Sequence, residues 1–470
     1  MLVEQIVEIR PNSFAFYLWK DPPYEVFGKL YLFNVTNGEK FLNGEEKLSF
    51  NEVGPYTYRE VLSNTNVNFE KNGTLSFIPR RKIAFVPELS VGDPATDTLL
   101  LLNVPFLGIM SSINDYSMLI KMAMAQITFA VDSQPLVTLS VDQYMFGYED
   151  VLVSLANNVL PVWIDFSHFG IVDRLMALDN GSTTMNMPVN TELTKLRNGT
   201  LTSIEKLNGL SGLVQWGYDP ESDSNSKCNT ISNYFAGVVF PPNFSKNASF
   251  VLYRHGFCRP LPISFNHSDS KYGFDAYTYR IDHDFLATKE ENPNNHCFCL
   301  KQKCLPKGVG DLSPCYYNIP VALSQPHFLN ADPITREQIN GMHPDPAKHN
   351  FQIMINPQSG IPLEANLRLQ INLHVTETKF NYRTKPFNEL ILPLFWVDLS
   401  VSGPPAIIQI GLYTLYVVLP NVQMAVLYIL TFLSAVFVVG SVFTFVGLYV
   451  YQYRRYMEIN YNEIEAFALK

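Results

Sequence analysis

Six cysteines carry the densest chemistry in this 470-residue chain, and all fall between residues 228 and 315: Cys228, Cys258, Cys297, Cys299, Cys304 and Cys315. Clustered thiols do one of two things: they oxidise to disulfides, or they bind zinc as thiolates. Cys297-x-Cys299-x4-Cys304 followed by Cys315 offers four sulfurs, but the spacing is irregular and has no CxxC pair. That matches a tetrahedral zinc site poorly. An even count confined to one region reads as a local disulfide framework, its pairing left open among the many that six cysteines allow. Such a framework belongs to an oxidising, extracytosolic compartment. Seven Asn-x-Ser/Thr sequons, at Asn34, Asn72, Asn180, Asn198, Asn243, Asn247 and Asn266, point the same way as candidate glycosylation sites. Most sit beside turn residues.

Other polar groupings carry little. There is no GxSxG elbow, HExxH, Walker A or Rossmann glycine pattern. His343 and His349 (HPDPAKH) are separated by two prolines and read as surface loop rather than a metal site. Glu149-Asp150 and Glu290-Glu291 read as solvated acidic pairs. No catalytic residue, metal or cofactor is assigned, and the chain reads as a non-enzyme.

The elements that position these residues begin at the far end. From Leu399 to Tyr453, 55 consecutive positions hold no Asp, Glu, Lys or Arg. Within them, the 26 residues Met424–Tyr449 are apolar apart from scattered Ser, Thr and Gly. As a helix they run about 39 Å at ~1.5 Å per residue, enough to cross a ~30 Å hydrocarbon core with some tilt. Tyr428, Tyr449, Tyr451 and Tyr453 supply interfacial aromatics, and Arg454-Arg455 follow at once. Positive residues favour the cytosolic side, which makes the tail cytosolic and the large preceding region extracytosolic. The tail is neutral, so the net charge of −9 belongs to the large region, and that acidity argues against a nucleic-acid partner. The opening MLVEQIVEIRPNSF has neither a signal-peptide pattern nor a span of its own. Export therefore implies an upstream signal; the alternative is a tail anchor, which the cysteines and Arg454-Arg455 disfavour.

Before the apolar segment, short β-rich runs alternate with turn residues. Examples are Tyr24–Val35, Pro55–Val61, and a hairpin at Asn72-Gly73 between Asn66–Glu70 and Thr74–Ile78. Strand-length runs continue at Leu213–Gly217, Ser249–Tyr253, Lys271–Ile281, Phe351–Ile355, Leu367–Thr376 and Leu390–Val397. They predict an antiparallel sheet rather than βαβ units. Residues 95–160 differ: Thr96–Leu107, Asn114–Val131 and Val141–Asn158 have helical length. The second of these, with Asn114 or Asp115 as its cap, is apolar nearly all round. It is either buried or a lipid- or partner-accepting surface.

From Tyr31–Asn37 (YLFNVTN) and Glu52–Glu60 (EVGPYTYRE) onward, the chain resembles the class B scavenger receptor family. That family takes in fatty-acid translocase, the high-density-lipoprotein receptor, lysosomal integral membrane protein and sensory neuron membrane proteins. The resemblance continues through Ser90–Asp93 (SVGD), Phe146–Asp150 (FGYED), Phe257–Pro260 (FCRP) and Glu291–Cys299 (ENPNNHCFC). It ends with Pro326–Leu329 (PHFL), Gly341–Pro344 (GMHP) and Leu367–Leu373 (LRLQINL). The markers keep their order and cover essentially the whole chain.

The resemblance implies an α+β protein: a large antiparallel β-barrel-like ectodomain with an apical helical bundle, plus one C-terminal transmembrane helix. It implies the pairs Cys228–Cys297, Cys258–Cys315 and Cys299–Cys304. The resulting organisation is an ectodomain at 1–400, with apical helices at 95–160 and a disulfide-rich region at 228–315. A membrane-proximal linker (401–423), a transmembrane helix (424–450) and a cytosolic tail (451–470) follow. The implied function is a receptor that binds lipids, lipoproteins or a luminal or extracellular protein ligand, and passes apolar ligand through a tunnel to the bilayer. Plasma membrane is the first location and the endosomal or lysosomal membrane the second. Apical contacts would come from Met118, Lys121, Met122, Met124 and Phe129. The lysine-bearing apical stretch of fatty-acid translocase appears here as Phe129–Gln134 (FAVDSQ), and the lysosomal member's helix histidine falls near Met118. Relatives have two spans, and this chain starts where the first should just have ended. In the tail, Tyr461 with Ile464 fits a tyrosine-based sorting pattern.

Overall fold

The computed structural model describes residues 9–159, 164–180, 184–196, 200–231, 233–299, 304–401 and 403–468; for 177–180, 196 and 461–468 it describes the backbone alone. The chain forms two compact units, Met1–Pro405 and Ala406–Lys470.

The first unit is built on one 14-stranded sheet. Its centre runs Pro362–His374, Ile391–Val401, Val26–Val35, Phe50–Phe69, Thr74–Phe85, all antiparallel. Gln352–Ile355, Phe274–Ile281, Leu261–Lys271, Phe250–Leu252 and Tyr234–Phe235 extend it one way, and Met185–Pro188 and Lys206–Leu207 the other. Val321–Ser324 and Val309–Asp311 branch from Pro362–His374. Among the described residues the two ends are joined by a single bridge, Ile204↔Tyr234, and no ladder of paired strands closes the sheet into a barrel. The antiparallel expectation holds except at one edge, where Tyr234–Phe235 pairs parallel with Phe250–Leu252. The run Leu213–Gly217 is not a strand: its centre, Val214–Trp216, is a 3-10 turn closed by Gly217 in the left-handed region.

Period-two alternation explains which side chains enter the interior. On Phe50–Phe69, Tyr56, Tyr58, Glu60 and Asn64 are buried while Arg59 and Val61 face water. Ile391–Val401 is buried at eight successive positions, as a strand covered on both faces should be. Phe33, Leu32, Tyr56 and Phe395 are almost wholly buried, each contributing roughly 1.5–3 kcal/mol relative to exposure. At the turn expected from Asn72-Gly73, the Asn72 Oδ1 accepts from the Thr74 N–H (3.1 Å) and hydroxyl (2.7 Å), and Gly73 takes φ +81°.

The helical region departs from its expected boundaries for local reasons. Thr98–Leu102 is a strand paired with Leu136–Ser140, not the start of a helix. Asn103 then caps Val104–Ser112 by accepting from the Phe106 N–H (3.0 Å), and Pro105 fits the first turn, where no helical N–H is needed. The next helix, Met118–Ala130, follows Ser117, so neither Asn114 nor Asp115 is its cap. Both helices are thus an insertion between the two strands of a hairpin. Val141–Asn158 divides into Val141–Phe146, which opens on a Ser140–Gln143 capping box, and Val151–Val159, capped by Asp150. Gly147 ends the first of these and Tyr148–Glu149 pairs with His168–Phe169, so the FGYED stretch breaks the helix.

The second unit is helical from Ala406 to Ala468 with a π turn at Thr414–Val418. Helix therefore fills most of 401–423, which the sequence reading treats as linker. Ala406–Asn460 is long and apolar enough to cross a membrane. Inside it the Thr431, Ser441 and Thr444 hydroxyls donate to the carbonyls of Leu427 (3.0 Å), Val438 (2.8 Å) and Gly440 (3.1 Å). These three hydroxyls are satisfied within the helix, as hydrocarbon requires.

Candidate ligand-binding site

The helix Met118–Ala130 leaves its apolar residues in water. Met118 is 63% exposed, Leu119 79%, Met122 59% and Phe129 58%, on one stripe of the helix. The opposite side of the helix turns inward. Met124 packs against the buried cluster of Phe106, Met110 and Leu152. Lys121 is half-buried, its Nζ 3.4 Å from Asn114 Oδ1 and 5.6 Å from the centre of the Phe380 ring. Of the five apical residues singled out from the sequence, Met118, Met122 and Phe129 form the exposed face, while Met124 and Lys121 point elsewhere. Leu119, the most exposed large apolar residue of the helix, lies outside that set, because a helix apolar all round does not show in its sequence which face turns outward.

Beneath this helix lies a cavity of about 580 Å³, within the ~300–1,000 Å³ usual for small-molecule sites. Ile113, Met124 and Ile127 wall it from the insertion, Leu152 and Ala156 from a later helix, Ile371 and Leu394 from the sheet, and Ile319 from the loop before Val321–Ser324. Arg174 is the one Lys or Arg among its described lining residues, and its guanidinium lies 4.2 Å from the Phe166 ring centre. Two smaller cavities follow, of about 80 and 130 Å³. The large and the 80 Å³ cavities share Leu175 in their walls. The two smaller ones share Glu60, Arg254, Phe257 and Leu399. The third is lined by Pro22, Tyr24 and Val401, near both ends of the first unit's chain.

At the joint between the smaller cavities, charges interrupt the apolar walls. Glu60 Oε1 accepts from Arg81 Nε (3.1 Å) and Glu60 Oε2 from Arg254 NH2 (2.8 Å), and Glu60 is only 8% exposed. Glu60 and Arg81 lie on adjacent strands, both on the inward phase of their alternation. The sequence carried that signal: Tyr56 and Tyr58 are apolar and inward, and Glu60 is next in phase.

A second polar knot lies around Glu52. His327 Nε2 is 2.5 Å and Trp396 Nε1 2.7 Å from its Oε2, and the His349 ring stacks on His327 with centroids 4.6 Å apart. His349 is 5% exposed, against the surface-loop reading; His343 is exposed as read. Three potential ligand atoms of Glu52, His327 and His349 lie within 4.8 Å of one another. The hydrogen bonds fit metal binding poorly: the N–H groups of His343 and Asp345 donate to Nδ1 of His327 (3.1 Å) and His349 (2.9 Å). A neutral imidazole accepting at Nδ1 carries its proton on Nε2, where a metal would have to bind. Burial pushes Glu52 up, but hydrogen bonds from His327 and Trp396 outweigh it and hold its pKa below the usual value. Burial, then neighbouring His327, lowers His349 to about 4.

Disulfides join Cys228 to Cys297, Cys258 to Cys315 and Cys299 to Cys304, with Cα atoms 5.9, 6.2 and 4.4 Å apart. The two longer loops, closing 69 and 57 residues, contribute about 4 kcal/mol each in chain-entropy terms. Among the sequons, Asn72, Asn243, Asn247 and Asn266 are exposed. Asn34 is half-buried on a strand, its Oδ1 accepting from the Leu100 N–H (2.9 Å). Asn198 lies outside the described residues, as do the side chains of Asn180, Tyr461 and Ile464.

Comparison with known proteins gives one family. The CD36 family model matches residues 1–445. Scavenger receptor class B member 1 of Sus scrofa is 30% identical over 449 residues, covering 95% of this chain and 83% of the relative. Lysosome membrane protein 2 of Homo sapiens is 32% identical over 404 residues, covering 85% and 79% respectively. The Mus musculus class B member 1 is 29% identical over 429 residues, 90% of this chain and 80% of that protein.

Proposed function

The chain belongs to the CD36 family, and on that premise we propose a membrane-anchored scavenger receptor that captures fatty acid, sterol or lipoprotein lipid at its exposed helix and passes the apolar part inward. The observation that carries this reading is the roughly 580 Å³ apolar cavity directly beneath an apolar helix left in water. Exposed patches of this kind cost solubility and are retained for ligands or membranes. The driving force is removal of acyl surface from water, about 25 cal/mol per Å². The three cavities, sharing walls in sequence, act as segments of one passage. The C-terminal helix provides the anchor. Cells expressing the chain should take up fluorescent fatty acid or sterol ester faster than control cells. Uptake equal to control would remove the lipid reading.

A second reading rests on the same helix. Met118, Leu119 and Met122 form a compact apolar face suited to a protein partner, and one relative is a lysosome membrane protein. In this reading the ectodomain carries a luminal protein on that face. A bulky residue in the cavity separates the two: lipid passage fails while protein binding survives.

A further inference from the structure

We propose that Glu60, Arg81 and Arg254 form a carboxylate-exchange station at the joint between the two smaller cavities, and that it selects long-chain carboxylates over uncharged lipids of equal length. The inference rests on the lipid-passage reading above and names its preferred substrate class. Leu30, Ile83, Phe146 and Phe395 make the neighbouring wall apolar, so a buried carboxylate held between two guanidiniums is out of place there. Such clusters seldom serve stability: desolvating the charges offsets their mutual attraction, and an apolar replacement does as well. The geometry suggests what the cluster does instead. Each Glu60 oxygen is taken by a different arginine, Oε1 by Arg81 and Oε2 by Arg254. Arg254 lines both cavities, whereas Arg81 lines only the second.

A fatty carboxylate arriving from the 80 Å³ cavity meets Arg254 and can replace Glu60 Oε2 on it, like for like. Glu60 stays paired with Arg81, so no charge is stranded. Planar, bidentate recognition of carboxylate suits the arginine fork. An alcohol or ester has no charge to exchange and must pass while the Glu60–Arg254 pair stays closed.

The test titrates the full-length chain in detergent with a fluorescent long-chain fatty acid and with the fatty alcohol of the same length. Arg254→Gln should weaken acid binding about tenfold more than alcohol binding, the size of one charge-assisted contact. Glu60→Gln, which removes the carboxylate that competes with the ligand for Arg254, should tighten acid binding instead. Opposite signs in the two variants exclude general misfolding, which would weaken both. If both keep the wild-type acid-to-alcohol ratio, the station is wrong and the lipid passage stands. If the wild-type chain binds neither ligand, the lipid reading falls and the station with it.

Discussion

The helix Met118–Ala130 and the paired strands Phe50–Phe69 and Thr74–Phe85 depart from ordinary folding preferences in opposite directions. The helix leaves Met118, Leu119 and Met122 in water, while the strands carry Glu60 and Arg81 into an apolar interior. The first departure gives up burial of apolar area; the second gives up the hydration of charges. Neither is needed to build the sheet, whose centre is held by Leu32, Phe33, Tyr56 and Phe395. Local rules broken without structural gain mark functional positions. The contrast also separates their consequences: the exposed helix should matter for ligands and little for stability, the buried charges for both.

The contrast breaks most sharply at Glu60. Glu60→Ala leaves two guanidiniums without their shared carboxylate and should destabilise the ectodomain by about 3–5 kcal/mol, read as a lowered denaturant midpoint. Next in size is the cavity. Ala156→Trp fills space that Ile113, Ile319 and Leu394 otherwise border. Lipid passage should drop to control levels while the protein stays folded. On the helix, Leu119→Ser with Met122→Ser should change stability within about 0.5 kcal/mol, as exposed substitutions do, yet weaken ligand capture in a surface-binding assay.

A smaller effect concerns pH. The His349 pKa is lowered to about 4 by burial and by His327, against ~6.5 in an unfolded chain. Between those values the unfolded chain binds more protons, so stability falls as pH drops from about 6.5 toward 4 and levels off below. Burial is the main cause of this shift; of the charged and titratable groups facing His349, His327 and Arg368 add to it while Glu52 and Asp345 oppose it. His349→Gln should flatten that slope in urea unfolding at a series of pH values. The smallest expected effect is at the sequons: glycopeptide mass spectrometry should find Asn34 unmodified, because it is half-buried on a central strand, while Asn72, exposed in a turn, is occupied.

Much of the scaffold was legible in the sequence. Alternation and the Asn72-Gly73 turn located the central strands, and an uncharged run of 55 residues located the membrane helix. Boundaries in the helical region at 95–160 were not, because Asn103, Gly147 and Asp150 decide them through capping and breaking that an apolar count overlooks. Cysteine spacing left the pairing open; only the family resemblance named pairs. His349 looked like loop because Pro344, Asp345 and Pro346 precede it, while its burial involves His327 and Trp396, distant in sequence. The cavity was illegible for the same reason: its walls come from residues as far apart as Val104 and Leu394. The charged joint was within reach, had the phase of Glu60 been weighed against its chemistry.

The most direct measurement of the central claim is transfer of a fluorescent fatty acid from donor particles to the membrane of vesicles holding the full-length chain, wild type beside Ala156→Trp. Transfer by the wild type, with transfer lost and surface binding kept in Ala156→Trp, is the predicted result. Equal transfer by both would contradict an internal route and leave the exposed helix acting alone.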